Sequence, residues 1–198
     1  VMAGGGVRGC AGLRGRGGGG VRPGCVQGFV ARPEDTGRGA AFDRRLYVLR
    51  RRFEKAAPQA YVCSLSSRTI VYKGMMLVTQ LRAFYPDLQQ EDYTSAAALV
   101  HSRFSTNTNP SWSKAHPHRM LLHNGEINTI RGNADRMLAR EETMSSRLLG
   151  ERVETIYPIV HPTGPDSAML DTALEFLSMN GVPPPLPGML LLPAPPPG

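Results

Sequence analysis

Three short polar clusters in this 198-residue sequence hold residue types able to handle one small ligand. The first, His101-Ser102-Arg103-Phe104-Ser105-Thr106-Asn107-Thr108, ends the apolar run Ser95–His101. An arginine at the tip of a buried strand offers a planar fork of donors that matches a carboxylate. An arginine salt-bridged to a nearby acid would leave the same pattern. The second cluster is His123-Asn124-Gly125-Glu126-Ile127-Asn128. Asn-Gly turns readily with positive φ and aims backbone N–H groups outward, so the Asn124 amide and the Gly125 N–H could form an oxyanion hole for a tetrahedral acyl intermediate. A plain hairpin turn, with His123 structural, is the competing reading. The third is Asp166-Ser167, where an aspartate at a helix start is a cap or a holder for an ammonium group. Together they offer a cation for a carboxylate, an anion for an amine and donors for an oxyanion. That set suits an α-amino acid amide, and it contains no nucleophile.

The elements that must position these clusters follow from periodicity. In Ala41–Ala57 the residues Phe42, Leu46, Leu49 and Phe53 fall near helical spacing between basic residues, which predicts an amphipathic helix. Tyr61–Leu65 and Thr69–Lys73 are β-rich and flank Ser66-Ser67-Arg68, which predicts a strand pair on a tight turn, with Gly74 at a turn or bulge. Met76–Phe84 reads as a short helix ending before Pro86, and Ser95–His101 as a buried strand. Arg119–Leu122 is a second apolar run leading into the Asn-Gly turn. Gly132–Glu142 reads as a helix, as does Asp166–Asn180, with Asp166 or Ser167 as N-cap and Gly181 in the left-handed terminating position. The expected class is α+β with strands pairing non-locally.

The charge of +7 is local. Residues 1–33 carry Arg8, Arg14, Arg16, Arg22 and Arg32 and no acid, which leaves +2 for the rest. The foldable part is therefore nearly neutral, and the basic balance does not mark it as a nucleic-acid or membrane binder. Residues 1–25 contain 11 glycines and cannot bury enough apolar surface to offset their chain entropy, so disorder is expected there. An RNA-binding Gly/Arg tail on a noncatalytic scaffold is the alternative for that end. Residues 183–198 hold 8 prolines, for which extended or irregular chain is expected rather than helix. Cys10, Cys25 and Cys63 show neither CxxC spacing nor histidines at zinc-finger distance, which argues against a metal site or disulfide scaffold and for a reducing compartment. The sequence has no apolar run of about 18 residues. It also shows no signal-peptide pattern, so a cytoplasmic setting is expected.

Longer strings carry a family resemblance. YVCSLSSRTIVYKG at Tyr61–Gly74, ALVHSRFSTNT at Ala98–Thr108, AHPHRMLLHNGEINTIRGN at Ala115–Asn133 and DSAMLDTALEFLSMNG at Asp166–Gly181 resemble the class II amidotransferase domain of the glutamate synthase large subunit. MLARE at Met137–Glu141 and the helix AFDRRLYVLRRRFEKA fit the same family. The resemblance implies an N-terminal-nucleophile hydrolase fold, an αββα sandwich, here incomplete. It implies hydrolysis of L-glutamine by an N-terminal cysteine whose own α-amino group is the base. Ammonia would then pass to a synthase region that makes glutamate from 2-oxoglutarate with FMN and an iron–sulfur cluster, fed by an electron-donating subunit. Carried over by position, Arg103 binds the substrate carboxylate, Asn124 and Gly125 form the oxyanion hole, and Asp166 holds the amino group.

Two departures qualify the resemblance. Cys25-Val26-Gln27-Gly28-Phe29 looks like the family's CGxGF start, but it runs directly into the AFDRRLYVLRRR helix, which in the family lies far downstream. Cys25 is therefore expected to be a look-alike and the catalytic cysteine to be absent. Pro165 stands where the family usually has Ser. The expected organisation is a disordered segment over 1–28, a partial type-2 glutamine amidotransferase domain over 29–192 and a Pro-rich end over 193–198, with no cofactor held by this chain.

Overall fold

The computed structural model describes residues 8–9, 24–106 and 108–191. Most of the Gly/Arg-rich segment, Asn107 and the Pro-rich end at 193–198 lie outside the described residues. The chain is organised around α4 (Asp166–Met179), against which pack α1 (Ala40–Ala56), α3 (Ile130–Glu141) and α5 (Pro185–Leu191). Two-residue strands β1 (Arg8–Gly9) and β2 (Val26–Gln27) pair antiparallel, and α2 (Leu81–Phe84) is a single turn. The core gathers Met169, Leu170, Ala173 and Phe176 of α4 with Ile127, Ile130, Ala134, Leu149, Val153, Ile156, Ile159 and Val160. α4 stops as expected, with Gly181 at φ 86 and the Val182 N–H returning to the Leu177 carbonyl.

α1 is helical as predicted, but its inward face is rotated from the apolar stripe. Leu49 and Phe53 are 47% and 50% exposed, whereas Arg50 and Arg51 are buried beside Leu46, Tyr47 and Val48. The arginines tolerate burial because each guanidinium finds partners. Arg50 bridges Glu54 at 2.7 Å and Glu175 of α4 at 2.5 Å. Arg51 donates to the carbonyls of Ile156, at 3.0 Å, and Pro158. Glu54 also takes Arg119 at 2.9 Å, so α1, α4 and the segment before the Asn-Gly turn share one buried ion network.

Several expectations give way. Tyr61–Leu65 and Thr69–Lys73 form no ladder, and side chains cross-link them instead: the Val71 N–H donates to Ser64 Oγ at 3.0 Å and Lys73 Nζ to Tyr61 Oη at 2.9 Å. Their turn is held by α1, since the Asp43 carboxylate accepts the Ser67 N–H at 2.8 Å and Arg68 Nε at 2.9 Å. Ser95–His101 is no buried strand: residues 95–100 are exposed, Leu99 by 67% and Val100 by 75%. An apolar strand is buried only when a ladder partner and a covering layer exist, and none lies over it among the described residues. The regular structure of the described residues is thus almost all helical, and the αββα layering is not seen in them. At the other end, prolines do not prevent a helix: α5 begins at Pro185 and takes Pro187 into its first turn, where a missing N–H costs nothing. α4 starts at Asp166 with Pro165 as its N-cap residue, so neither Asp166 nor Ser167 caps it through a side chain. The Gly74 requirement is steric, because a Cβ there would sit 2.3 Å from the Trp112 ring.

Removing Glu175 would leave Arg50, 1% exposed, without its α4 partner. Glu175→Ala is expected to lower the unfolding free energy by about 3–5 kcal/mol, read from urea denaturation.

Candidate functional site

The site is built on Asp171, one turn and a half into α4. Its buried carboxylate accepts three consecutive backbone N–H groups, from Arg119 at 3.3 Å, Met120 at 2.7 Å and Leu121 at 3.2 Å. Burial, with Glu175 nearby, pushes this carboxyl up to about 6, against the opposing pull of the Met120 and Arg119 groups. The Arg119 side chain ties the same segment outward, donating to the Val62 carbonyl at 2.5 Å and lying over the Tyr61 ring. The run that leads into His123-Asn124-Gly125 is therefore fixed to α4 by its backbone.

From there the three predicted clusters converge. The Thr106 N–H and Oγ1 both donate to the Asn124 carbonyl, at 3.0 and 2.9 Å. Ser105 Oγ donates to the His123 carbonyl at 2.6 Å and also touches Ser167 Oγ at 3.0 Å, the residue after Asp166. The Asp166 carboxylate accepts the Ile127 N–H at 2.9 Å. Arg103, Asn124, Gly125 and Asp166 thus sit on three segments held together by short polar contacts. Arg103 itself is exposed, and no ion pair among the described residues uses it. Asn124 is exposed as well. Gly125 is not among the glycines of positive φ, so the expected left-handed glycine is not what makes this turn. His123 Nδ1 lies 3.1 Å from the Gly125 carbonyl and must carry the proton there.

Behind the turn lies a buried hydroxyl–imidazole cluster that sequence reasoning missed. Ser105, Ser167, His116 and His118 are 0–6% exposed. Ser105 Oγ stands 3.1 Å from His116 Nε2, and Ser167 Oγ 3.0 Å from His118 Nε2. The hydrogens in this cluster have one consistent arrangement. A carbonyl can only accept, so the single Ser105 hydrogen goes to His123 O. The Ser167 hydrogen must then go to Ser105, and each histidine must donate from Nε2. His116 Nδ1 is left as a bare lone pair, and it is indeed a buried atom without a partner. A second proton on His116 would have no acceptor at that nitrogen. Burial, aided by neighbouring positive groups, lowers His116 to about 4 and His118 to about 3, so both are neutral at pH 7.

Lys73 is a further buried group, 3% exposed, that donates to Tyr61 Oη at 2.9 Å and the Ser113 carbonyl at 2.7 Å. Burial lowers it to about 8. Cys63 is half-buried near it, with its thiol pushed up by burial. An iron–sulfur cluster needs several thiolates. Among the described residues no group of three or more His, Cys, Asp or Glu is placed to hold a metal, so these residues do not fit one. No helix among them is long and apolar enough to cross a membrane.

The family model of class-II glutamine amidotransferases matches residues 14–196. The large chain of the NADPH glutamate synthase of Bacillus subtilis is 49% identical over 173 residues, which is 85% of this chain and 11% of that protein. The NADH glutamate synthase of Saccharomyces cerevisiae is 49% identical over 146 residues, 71% of this chain and 7% of that protein. The chloroplastic ferredoxin-dependent glutamate synthase of Oryza sativa is 47% identical over 157 residues, 76% of this chain and 10% of that protein. The chain spans roughly a tenth of the length of these relatives.

The neutral histidines set a pH dependence. Their folded values lie below the unfolded 6.5, so the stability they support is complete above about 6.5 and is lost as pH falls toward about 4 for His116 and about 3 for His118. Asp171, raised in the fold, works in the opposite sense between about 6 and 3.8. A His118→Gln variant isolates one contribution. The stability gap between wild type and this variant should shrink by up to about 1.4 kcal/mol per pH unit below 6.5, in urea titrations from pH 7.5 to 4.5.

Proposed function

Because this chain belongs to the class-II glutamine amidotransferases, we propose that its three polar clusters form one L-glutamine site. The Arg103 guanidinium takes the α-carboxylate, Asp166 the α-ammonium, and the Asn124 side-chain amide with the Gly125 N–H takes the oxygen of the γ-carboxamide. The observation that carries this reading is the convergence of those segments through the Thr106–Asn124, Ser105–Ser167 and Ile127–Asp166 bonds. Asp166 gives one carboxylate oxygen to the Ile127 N–H, which orients the other for a ligand amine. When a nucleophile attacks the carboxamide carbon, negative charge develops on its oxygen, and two donors aimed at that position stabilise it. Ammonia then leaves and an acyl intermediate is hydrolysed to glutamate.

These clusters contain no nucleophile. Cys25 is followed closely by α1 at Ala40, as it would not be were it the family's N-terminal cysteine, so we read this chain as a partial domain over 29–192 that binds glutamine without turning it over. In the intact enzyme the ammonia would pass to a synthase region and be added to 2-oxoglutarate. FMN, the iron–sulfur cluster and an electron-donating subunit would belong to that region.

Calorimetric titration of the purified chain with L-glutamine tests the binding. Arg103→Ala and Asp166→Asn should each weaken binding by about tenfold or more, as expected for loss of a charge-assisted contact. No ammonia should be released. Release that disappears in Cys25→Ser would overturn the assignment of Cys25 as a look-alike.

A further inference from the structure

A trans peptide fixes its C=O and N–H in one plane, pointing opposite ways. The Gly125 N–H belongs to the same peptide unit as the Asn124 carbonyl, and the Asn124 N–H to that of the His123 carbonyl. Both carbonyls are clamped from one side by neighbouring residues of a single loop: His123 O by the Ser105 hydroxyl at 2.6 Å, and Asn124 O by the Thr106 N–H and hydroxyl at 3.0 and 2.9 Å. We infer that Ser105 and Thr106 are positioning residues of the oxyanion turn, holding two consecutive carbonyls so that the Gly125 N–H is turned away from the loop and toward the substrate oxygen, with the backbone of Asn124, whose side-chain amide is the other donor, fixed beside it. This rests on the glutamine site proposed above, and it gives that site a cause for its geometry.

Two features distinguish this arrangement from an ordinary turn. The Asn124 carbonyl accepts two hydrogen bonds, and a carbonyl so loaded makes the N–H of its own peptide a stronger donor. Ser105 is itself immobilised from behind, since its oxygen accepts from both Ser167 and His116 while its hydrogen is committed to His123 O. Both lone pairs and the one hydrogen are used, so the hydroxyl has no second rotamer of equal bonding. Because Ser167 adjoins Asp166, the same contact sets the distance between the oxyanion turn and the end that holds the substrate amine. Ser105 touches no proposed ligand atom and acts through His123 and Ser167. Thr106 acts through Asn124.

The test uses the full chain labelled with 15N and two variants, Ser105→Ala and Thr106→Val. In wild type, His116 and His118 should both appear as Nε2–H tautomers in long-range 1H–15N spectra. In Thr106→Val, which keeps shape and loses one donor at an exposed position, the Gly125 amide proton should move upfield and exchange about tenfold faster. Amides within α4 should keep their protection. Ser105→Ala should give the same response at Asn124 and release the His116 tautomer. Affinity for L-glutamine should fall about tenfold in both, a loss comparable to that of one buried hydrogen bond to the donor frame. Unchanged Asn124 and Gly125 amides in folded variants would overturn the inference even if glutamine binds. Absence of glutamine binding by wild type, with the amide responses present, would overturn the glutamine site and leave the positioning geometry standing. Should Ser105→Ala fail to fold, Thr106→Val alone decides.

Discussion

One buried carboxylate organises this molecule. Asp171 takes three successive backbone N–H groups, a task a β-ladder would otherwise perform, and so fastens an extended segment to a helix without any sheet. A single side chain on α4 thereby sets the register of everything that follows Leu121, including the Asn-Gly turn. The arrangement concentrates the demand for precision in one residue. Were the carboxylate lost, three N–H groups in a half-buried segment would be left without their partner, each at a cost of up to about 1–3 kcal/mol.

Charge burial on a second scale supports this anchor. Arg50, Glu54, Glu175 and Arg119 form a chain of pairs that links α1, α4 and the segment before the turn. Such networks contribute little net stability against an apolar alternative, but they discriminate strongly among packings, because any misplaced helix strands a charge. The histidine cluster works by the opposite logic. His116 and His118 are kept uncharged and serve as neutral donors, so this cluster supplies directed hydrogen bonds without adding a charge of its own. The glutamine site proposed above would gain support from this cluster without a further charge from it.

The candidate residues stood out in the sequence for a local reason. Arg103 and Asn124-Gly125 each follow an apolar run and Asp166 opens a helix, positions where a polar residue has no packing role and so stands out. The helices α1, α3 and α4 were legible for the same reason, through periodicity and terminators such as Gly181. What escaped was non-local. Ser105, Ser167, His116, His118 and Asp171 look ordinary in the chain and acquire meaning through partners 11 to 62 residues away. The strands failed as readings because Tyr61–Leu65, Thr69–Lys73 and Ser95–His101 carry β-forming side chains, whereas a strand is a property of two segments and not of one. The rotated face of α1 was hidden likewise, since nothing near Arg50 and Arg51 announces the acids and carbonyls that let them be buried.

The single hydrogen ordering of the hydroxyl–imidazole cluster has a consequence for how protons can move. Read from His118 through Ser167 and Ser105, every hydrogen points the same way, and the line ends on the carbonyl of His123. A peptide carbonyl has no hydrogen of its own to hand on, so the line is a blind alley: a proton entering at His118 would have nowhere to leave. The cluster can hold shape but cannot conduct. For the glutamine site proposed above, any group that took the proton from an attacking nucleophile and returned it to ammonia would therefore have to approach from the open side of the Asn-Gly turn.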